Sequence, residues 1–226
     1  MQNTYLAKRE RLENYFNEVS IDAWDKLTSN EPVSYVRQLV REGREKMQEA
    51  IIEKLPKDLK GTRILDAGCG TGVLSRMLDE RGAEVVGVDI SEKLIEVAKN
   101  RSRSNENIEY FAGDMKEKSF GNFDYIVAMD SLIHYSPEDV ISSIAEFSKR
   151  ANYSVLFTVI PSTFALRTKL SLGKYFPKSE RSPEVVPIEW GQLRQLEDLK
   201  INACLEKIKR IKSFFYVSEV WELANK

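Results

Sequence analysis

A glycine-rich turn is the part of this sequence whose residue types and spacing best suit chemistry. Gly68, Gly70 and Gly72 directly follow the short apolar run Arg63–Ala67. Glycine lacks a Cβ atom and tolerates positive φ, so the backbone here can bend sharply and lie against a ligand. Residues 71–81 continue with apolar side chains at helical spacing. The pattern predicts a strand, a loop and a helix that together hold a cofactor.

The spacing of the glycines and the acid before them indicate which cofactor to expect. The turn reads G-x-G-x-G after Asp66, whereas a dinucleotide fingerprint reads G-x-G-x-x-G and places a pyrophosphate at the helix N-terminus. S-adenosylmethionine has no phosphate; it presents an ammonium, a carboxylate, a sulfonium and a ribose diol. Asp66 suits the cationic part, and free amides of the turn and helix start suit the carboxylate. We therefore expect S-adenosylmethionine, with S-adenosylhomocysteine as product; a nicotinamide-binding oxidoreductase is the alternative.

Three further acidic residues, Asp89, Asp114 and Asp130, each follow another apolar run of strand length. The Asp89 carboxylate suits the two ribose hydroxyls, and Asp114 with Met115 suits an adenine held between an acceptor and an apolar side chain. A strand-terminal Asp is also common as a helix cap or turn residue, but four in order predict a site. The predicted cofactor-binding residues are Asp66, Gly68, Gly70, Gly72, Asp89, Ile90, Asp114, Met115 and Asp130.

The elements that must position these residues alternate between strand and helix. This pattern over residues 63–161 indicates βαβ units, and hence a Rossmann-like α/β fold with a mostly parallel sheet and helices on both faces. Right-handed crossovers bring the carboxyl ends of such strands to one edge. Two closing strands complete a sheet of seven. The predicted strands are 63–67, 84–88, 108–112, 123–129, 153–160, 204–211 and 214–223, and the predicted helices include one capped by Ser91, 137–149 and 189–200.

Two segments decorate this core. Residues 1–58 form an N-terminal helical extension with two amphipathic helices, one presenting Leu12, Tyr15 and Phe16 and the other running over 32–55. They either pack on the core or act as a lid over the domain formed by residues 59–226. An insert at about 162–187, after the fifth strand, has a predicted helix over 163–176 and is rich in basic and aromatic residues. It indicates an acidic, apolar substrate, or simply a solvated amphipathic helix.

Composition argues against several other classes of protein. The 226 residues carry a formal net charge of -1, which gives no general electrostatic case for nucleic-acid binding. Cys69 and Cys204 provide no disulfide framework and suit a reducing compartment, and a single histidine makes a protein-held zinc site improbable. No apolar stretch approaches the roughly 20 residues that span a bilayer, and the N-terminus is charged. We expect a cytoplasmic enzyme without a resident metal.

Four segments resemble one family, the magnesium-protoporphyrin IX methyltransferases. They are Tyr-Phe-Asn at 15–17, the glycine turn at 66–72, Leu-Ile-His-Tyr at 132–135, and the Phe-Pro to Ser-Pro stretch at 176–187. The glycine turn is common to all class I methyltransferases, whereas the other three are more discriminating. The segment 18–24 keeps Trp24 but lacks the glycine and arginine expected before it.

The resemblance implies an activity and a set of residues. The reaction is methyl transfer from S-adenosylmethionine to a propionate of Mg-protoporphyrin IX, in chlorophyll or bacteriochlorophyll biosynthesis, with magnesium present only as part of the substrate. It implies contact with a magnesium chelatase and a location peripheral to photosynthetic membranes. His134 and Tyr15 are the candidate catalytic residues, and Arg167, Lys169, Arg181 and Phe176 the candidate substrate-binding residues.

Alternatives remain at this point. The chain could methylate another small molecule, such as a quinone or a phenol, or serve as a non-catalytic porphyrin carrier. An intact methyl-donor turn argues against a carrier. His134 is either a substrate-site residue or a structural hydrogen-bonding histidine, and Tyr15 is either a lid residue or a core aromatic.

Overall fold

The computed structural model describes residues 2–19, 21–29, 31–162, 184–199 and 203–225. The described part of the chain contains seven strands: β1 (Arg63–Ala67), β2 (Glu84–Asp89), β3 (Ile108–Ala112), β4 (Phe123–Ala128), β5 (Ala151–Val159), β6 (Ala203–Lys212) and β7 (Val217–Asn225). Its α-helices are α1 (Gln2–Asn14), α2 (Ile21–Leu27), α3 (Tyr35–Lys54), α4 (Val73–Asp79), α5 (Glu92–Arg101), α6 (Pro137–Ser148), α7 (Trp190–Leu193) and α8 (Gln195–Leu199).

The strands form one sheet in the order β3-β2-β1-β4-β5-β7-β6. β1 to β5 are parallel, while β7 pairs antiparallel with both β5 and β6. The chain moves outward from β1 through β2 to β3, and then returns to β4 on the other side of β1. This change of direction opens a crevice at the carboxyl ends of β1 and β4, where open α/β sheets bind ligands. The predicted seven-stranded, mostly parallel architecture is confirmed.

Alternating side chains of the strands feed two apolar cores, one on each face of the sheet. Leu65 of β1 belongs to the core formed with α6, and its neighbour Ile64 to the core formed with α3 and α4. This two-residue period is what a strand covered on both faces requires. Tyr5 and Leu12 of α1 are buried in the α6-side core, and Met47 and Ile51 of α3 in the other. The N-terminal extension therefore packs against both faces.

Local sequence signals explain where several helices begin. Ser34, Ser91 and Ser136 each precede a helix, and each side chain accepts a hydrogen bond from a backbone amide of the first turn. Serine at this position supplies an acceptor that the helix itself lacks. The Ser91 cap was predicted from the sequence, and the helix it begins ends at Arg101.

Two parts of the predicted organisation differ from the structure. The N-terminal extension contains three α-helices, not two, and a π-helical turn (Tyr15–Val19) joins the first pair. The single helix predicted over 189–200 is broken at Arg194 into α7 and α8. The insert lies mainly outside the described residues, including its predicted helix at 163–176. Just beyond the two ends of the insert, Ile188 pairs with Pro161, which follows β5.

Within the described ranges, no helix combines the length and apolarity needed to cross a bilayer. The same part of the chain contains no cluster of three or more His, Cys, Asp or Glu side chains suited to a metal ion.

Candidate active site

The glycine turn after β1 uses its three glycines for different reasons. All three have positive φ, at 84° for Gly68, 55° for Gly70 and 72° for Gly72. A Cβ atom on Gly68 would lie 2.2 Å from Cβ of Ser131, and one on Gly72 would lie 2.2 Å from the Tyr110 hydroxyl. A Cβ atom on Gly70 would meet nothing within 4 Å. Gly68 and Gly72 therefore permit close packing, while Gly70 leaves space for a ligand.

Most amides of this turn are not free, contrary to our expectation. Gly68 and Cys69 both donate to the Val88 carbonyl, at 2.7 and 3.1 Å, which ties the turn to β2. Gly70 donates to Oδ2 of Asp89 at 2.9 Å, and Gly72 donates to the Cys69 carbonyl at 3.0 Å. The first amides of α4 have no acceptor within their own helix. The helix start therefore remains a source of backbone donors for a carboxylate, whereas these four amides of the turn are already bonded within the protein.

Asp66, at the end of β1, is a buried carboxyl group in an unusual electrostatic environment. Burial raises its pKa to about 6, a hydrogen bond from the Ser75 hydroxyl at 2.6 Å opposes the shift, and nearby Asp89 adds to it. Arg44 lowers the pKa to a smaller extent. A cationic ligand would favour the charged form of this group. Asp66 is thus suited to a ligand ammonium.

Asp89 closes β2 and is held by the backbone on both oxygens. Oδ2 accepts from Gly70, and Oδ1 accepts from the Ser91 amide at 2.9 Å. Burial raises the pKa of Asp89, while these backbone hydrogen bonds lower it. Each carboxylate oxygen can accept a second hydrogen bond. Asp89 can therefore still accept hydroxyl donors, such as those of a ribose, from a fixed position.

The turn and the two acids open into a large cleft. Its empty space is about 930 Å³, counting the part open to solvent. Of the predicted site residues, Asp66, Gly68, Gly70, Asp89, Ile90, Met115, Asp130 and His134 line this cleft. Gly72, Asp114 and Tyr15 do not line it. The carboxyl edge of the sheet thus brings together most of the residues that the sequence placed there.

Asp114 lies after β3 and is bound to α1. The Tyr5 hydroxyl donates to Oδ1 and Arg9 donates to Oδ2, both at 2.9 Å. Burial is the main reason that the pKa of Tyr5 is raised, so the phenol remains a neutral donor. The Tyr5 ring stacks on Tyr135 with centroids 4.9 Å apart. Asp114 therefore anchors the N-terminal helix.

Asp130, just after β4, belongs to a buried polar network. Arg44 donates to its Oδ2 at 2.6 Å, and the Tyr216 hydroxyl lies 3.1 Å from both oxygens. The backbone of Asp130 has a positive φ of 53°, and its amide donates to the Thr158 hydroxyl at 2.7 Å. The carboxylate is thus committed to protein groups. The network holds Arg44 at the cleft.

Arg44 of α3 was not predicted from the sequence. Among the described residues that line the cleft, it is the only one with a permanently positive side chain. The Trp24 ring covers its guanidinium, with 4.9 Å between Cζ and the ring centroid. A signal was available, because Arg44 lies at helical spacing between Val40 and the buried Met47, on the apolar side of α3. A cation on the buried stripe of a helix indicates a partner or a ligand.

His134 lies on a short turn after β4 and is 5% exposed. Its Nδ1 is 3.0 Å from the Glu184 carbonyl oxygen. A carbonyl can only accept, so Nδ1 carries a proton and donates. Burial is the main cause that lowers the pKa of His134. In the neutral ring, Nε2 therefore has a lone pair and no proton.

Tyr15 lies in the π-helical turn, edge-on to Phe16 at 5.4 Å between ring centroids. Phe16 contacts the edges of both Trp24 and His134, at 5.8 and 6.1 Å, and lines the cleft. The aromatic wall beside His134 is thus formed by Phe16 and Trp24, with Tyr15 behind it.

Two other predictions concern Cys69 and the proposed substrate-binding residues. Burial raises the pKa of the Cys69 thiol well above its ordinary value, which suits a small turn residue and not a nucleophile. The predicted substrate-binding residues Arg167, Lys169, Phe176 and Arg181 lie outside the described residues.

Known proteins can be compared with this arrangement. The model of the magnesium-protoporphyrin IX methyltransferase C-terminus matches residues 128–225, and a general methyltransferase domain model matches residues 64–151. The magnesium-protoporphyrin O-methyltransferase of Rhodobacter capsulatus is 43% identical over 98% of this chain and 99% of its own length. The chain belongs to the magnesium-protoporphyrin methyltransferase family. The Synechocystis enzyme of the same name is 26% identical over 87% of each chain.

A solved structure also confirms the fold. The crystal structure of magnesium protoporphyrin IX methyltransferase from Synechocystis with bound S-adenosylhomocysteine matches with a TM-score of 0.85. The match covers 96% of this chain and 99% of that one at 24% sequence identity. The class I methyltransferase fold predicted from the sequence is therefore confirmed, as is the resemblance to this family.

Proposed function

We infer that this chain transfers a methyl group from S-adenosylmethionine to a propionate carboxylate of Mg-protoporphyrin IX. The products are the monomethyl ester and S-adenosylhomocysteine, in chlorophyll or bacteriochlorophyll biosynthesis. The observation that carries this conclusion is the full-length similarity to the Rhodobacter capsulatus enzyme. The Asp66, Asp89 and Gly70 geometry agrees with it, since the cleft has a place for each polar part of the methyl donor.

The quinone alternative has a weaker basis. Ubiquinone biosynthesis O-methyltransferases from Coxiella burnetii are 40% identical, but only over 47% of this chain. That extent fits a shared cofactor-binding region. The sequence features specific to this family, at 15–17, 132–135 and 176–187, point to the tetrapyrrole instead.

The cofactor supplies the methyl group as a sulfonium substituent, and the residues of the cleft bind its other parts. We assign the ammonium to Asp66, the ribose hydroxyls to Asp89 and the adenine edge to Asp114, with Ile90 and Met115 as apolar walls. Arg44 is the candidate partner of the amino-acid carboxylate, because it lies close enough to Asp66 to lower the pKa of that group. The ammonium and the carboxylate of the methyl donor are bonded to the same carbon atom, so their protein partners must lie close together.

The reacting carboxylate needs no general base. A propionate has a pKa near the roughly 4.3 of a Glu side chain, so it is already an anion at neutral pH. What the chain must supply is alignment of the oxygen with the methyl group and exclusion of water. Orientation of this kind is worth on the order of 7–11 kcal/mol of the barrier. The buried Tyr135 and the Phe16–Trp24 wall provide apolar surface for it.

His134 is the candidate substrate residue. In its neutral ring Nε2 carries no proton. Such a nitrogen repels a carboxylate but is a common metal ligand. We therefore propose contact with the magnesium of the substrate in preference to a hydrogen bond with the propionate. The basic and aromatic insert residues Arg167, Lys169, Arg181 and Phe176 remain proposed partners of the macrocycle and of its second propionate.

Two wider proposals rest on the family resemblance. We propose that the chain contacts the magnesium chelatase that supplies its substrate, and that it lies in the cytoplasm at the periphery of photosynthetic membranes. The first helix, α1, and the insert at 162–187 are proposed to close over the porphyrin as a lid. Amide hydrogen exchange with and without both ligands tests the closure; unchanged exchange in both segments would contradict it.

Labelled S-adenosylmethionine tests the activity. The protein is incubated with Mg-protoporphyrin IX, with metal-free protoporphyrin, and with a catechol or quinol. We expect label in the porphyrin monomethyl ester and none in the phenols. Label in the phenols alone would establish the quinone alternative. Porphyrin binding without any label transfer would establish a carrier.

Two variants separate the roles of His134 and Asp89. His134→Ala should lower kcat by at least about ten-fold with little change in cofactor affinity, since the histidine lies beside the substrate. Asp89→Ala should chiefly weaken cofactor binding. Steady-state kinetics and calorimetry with S-adenosylhomocysteine measure both. Collapse of cofactor binding in His134→Ala, with normal turnover at saturation, would contradict this assignment.

A further inference from the structure

The C-terminal end of α2 is fixed by a guanidinium group from α5. Arg101, the last residue of α5, donates through Nη1 to the carbonyl and hydroxyl oxygens of Thr28, both at 3.0 Å. Its Nη2 donates to the Asp25 carbonyl at 2.9 Å and to the Asp25 carboxylate at 2.7 Å. One side chain thus makes four hydrogen bonds to one helix end.

A second arginine holds the same end from α3. Arg41 donates through Nε to the Leu27 carbonyl at 3.0 Å, and through Nη2 to the carbonyls of Lys26 and Glu31, at 2.6 and 2.9 Å. The last carbonyls of a helix have no partner within it, and this end also carries partial negative charge. Arg41 and Arg101 therefore provide both the donors and the positive charge that this helix end lacks.

α2 is short, yet two cleft-lining residues depend on its position: one lies within the helix and the other directly follows it. The Trp24 ring covers the Arg44 guanidinium. Thr28, one residue past the helix, accepts a hydrogen bond from the Thr71 hydroxyl of the glycine turn at 2.8 Å. Both Trp24 and Thr28 are cleft-lining residues. The position of α2 thus determines where Trp24 and Thr28 stand in the cleft, beside Arg44 and the glycine turn.

The helix that provides Arg101 is itself fixed at the cofactor site. The Ser91 hydroxyl caps α5, and the Ser91 amide donates to Asp89. The C-terminal end of α5 reaches α2 through Arg101. α5 therefore links the proposed ribose-binding carboxylate to the roof of the cleft.

We propose that Arg101, with Arg41, is a positioning residue that holds α2 as the fixed roof of the cleft and thereby sets the affinity for the cofactor. Arg101 acts through Trp24, Thr28 and Thr71, and it does not line the cleft. The inference rests on the proposed function only in that the cofactor occupies this cleft. It assigns the seven-residue α2 a positioning role that is separate from any movement of α1.

Calorimetry with S-adenosylhomocysteine, in the absence of porphyrin, tests the proposal. Arg101→Ala should raise the Kd about ten- to a hundred-fold, as expected when charge-assisted hydrogen bonds are lost. With saturating S-adenosylmethionine, kcat should stay within about two-fold of the wild type. Arg101→Lys should give an intermediate Kd, since an ammonium can reach only part of this acceptor set. Hydrogen exchange at residues 21–29 should rise in the same order.

Arg103→Ala is the matched control. Arg103 is exposed just past the same helix and donates to the Asn100 side chain at 2.7 Å, so its loss should leave the Kd unchanged. If Arg101→Ala does not fold, Asp25→Ala, which removes one of the four acceptors, should raise the Kd to a smaller extent. A wild-type Kd in a folded Arg101→Ala or Asp25→Ala protein would overturn the proposal. Failure of the wild type to bind S-adenosylhomocysteine would instead overturn the proposed function.

Discussion

At the scale of single residues, Asp66 and Asp89 show how burial prepares a site for a cation. Both carboxyl groups are buried, and each is held by short hydrogen bonds from its surroundings. Burial is the main cause that raises the pKa of Asp66, and the nearby Asp89 adds to the shift, because two like charges in a low-dielectric site disfavour each other. An ammonium ligand favours the charged form of Asp66 on both counts. The buried pair of carboxyl groups thus provides affinity for a positive ligand.

This electrostatic arrangement predicts a pH dependence of cofactor binding. The pKa of Asp66 is about 6 in the free protein, so the carboxyl group becomes neutral as the pH falls below that value. Binding through the ammonium requires the charged form, and affinity for S-adenosylhomocysteine should fall by up to about ten-fold per pH unit below pH 6. Calorimetry between pH 7.5 and 5 measures this change. Asp66→Asn should bind weakly with a flatter pH profile; an equally steep profile in that variant would assign the effect to another group.

The glycine turn allows a second prediction, because Gly70 and Gly61 differ only in their surroundings. Both have positive φ, at 55° and 72°, and neither has an atom within 4 Å of an added Cβ. Gly70 lines the cleft, whereas Gly61 lies in the turn before β1. Gly70→Ala and Gly61→Ala should each cost about 1 kcal/mol of stability, but only Gly70→Ala should weaken cofactor binding. Thermal melts and calorimetry separate the two effects. Equal cofactor affinities would show that the space above Gly70 is not used.

Sequence reasoning succeeded and failed at this scale for clear reasons. Asp66, Asp89, Gly68 and Gly70 line the cleft, and their places follow from neighbours in the chain; their roles toward the cofactor stay predictions. The helical position of Arg44 is a signal in the sequence, but its site is not, since its partner Asp130 and Tyr216, which shares that carboxylate, are distant in sequence. Amides of the turn that the sequence predicts to be free instead donate hydrogen bonds to Val88 and Asp89 of β2. Contacts between separate elements depend on packing, which no local pattern determines.

At the scale of elements, the N-terminal extension has two differently attached parts. α2 is held through its backbone by Arg41 and Arg101, whereas α1 is held to β3 through side chains. The Tyr5 and Arg9 contacts with Asp114 form this second attachment. Because Asp114 is also the proposed adenine partner, α1 and the cofactor share one carboxylate. α1 is therefore the element whose attachment should respond to cofactor binding.

This attachment predicts the effect of loosening α1. Tyr5→Phe and Arg9→Gln each remove one hydrogen bond to a carboxylate, worth about 1.5–3 kcal/mol. Amide hydrogen exchange over residues 2–14 should rise about ten-fold or more, and release of S-adenosylhomocysteine should become faster. Arg11→Gln on the exposed side of α1 is the control and should change neither rate. Unchanged exchange in both Tyr5→Phe and Arg9→Gln would show that the Asp114 contacts do not hold the helix and that its other contacts, such as the stacking on Tyr135 and the burial of Leu12, are sufficient.

The elements themselves were predicted unevenly along the chain. The central strands and helices lie close to where hydrophobic periodicity placed them, because each is long enough to show its period. α2 has seven residues and follows a π-helical turn, so no regular stripe marks it. The break at Arg194 between α7 and α8 has no proline or glycine at that position to signal it.

At the scale of the whole molecule, the reversal of strand order decides where function lies. β1 is central, with β2 and β4 on either side, so helices that follow these strands diverge and leave a crevice at their carboxyl ends. The N-terminal helices then cover this crevice from both faces of the sheet, since α1 belongs to one core and α3 to the other. A ligand in the cleft contacts elements from both cores.

This placement predicts that the cofactor stabilises the molecule as one unit. S-adenosylhomocysteine at about 100 times its Kd should add about 2.7 kcal/mol, which corresponds to a rise in Tm of about 5 to 10 °C for a chain of this size. The melt should remain a single transition, because the ligand joins α1, α2 and α3 to the sheet. Gly70→Ala, with cofactor binding impaired, should show a much smaller rise at the same ligand concentration, while Gly61→Ala should match the wild type. Two resolved transitions, with only the later one shifted by the ligand, would show that the N-terminal helices unfold separately from the cofactor-binding core.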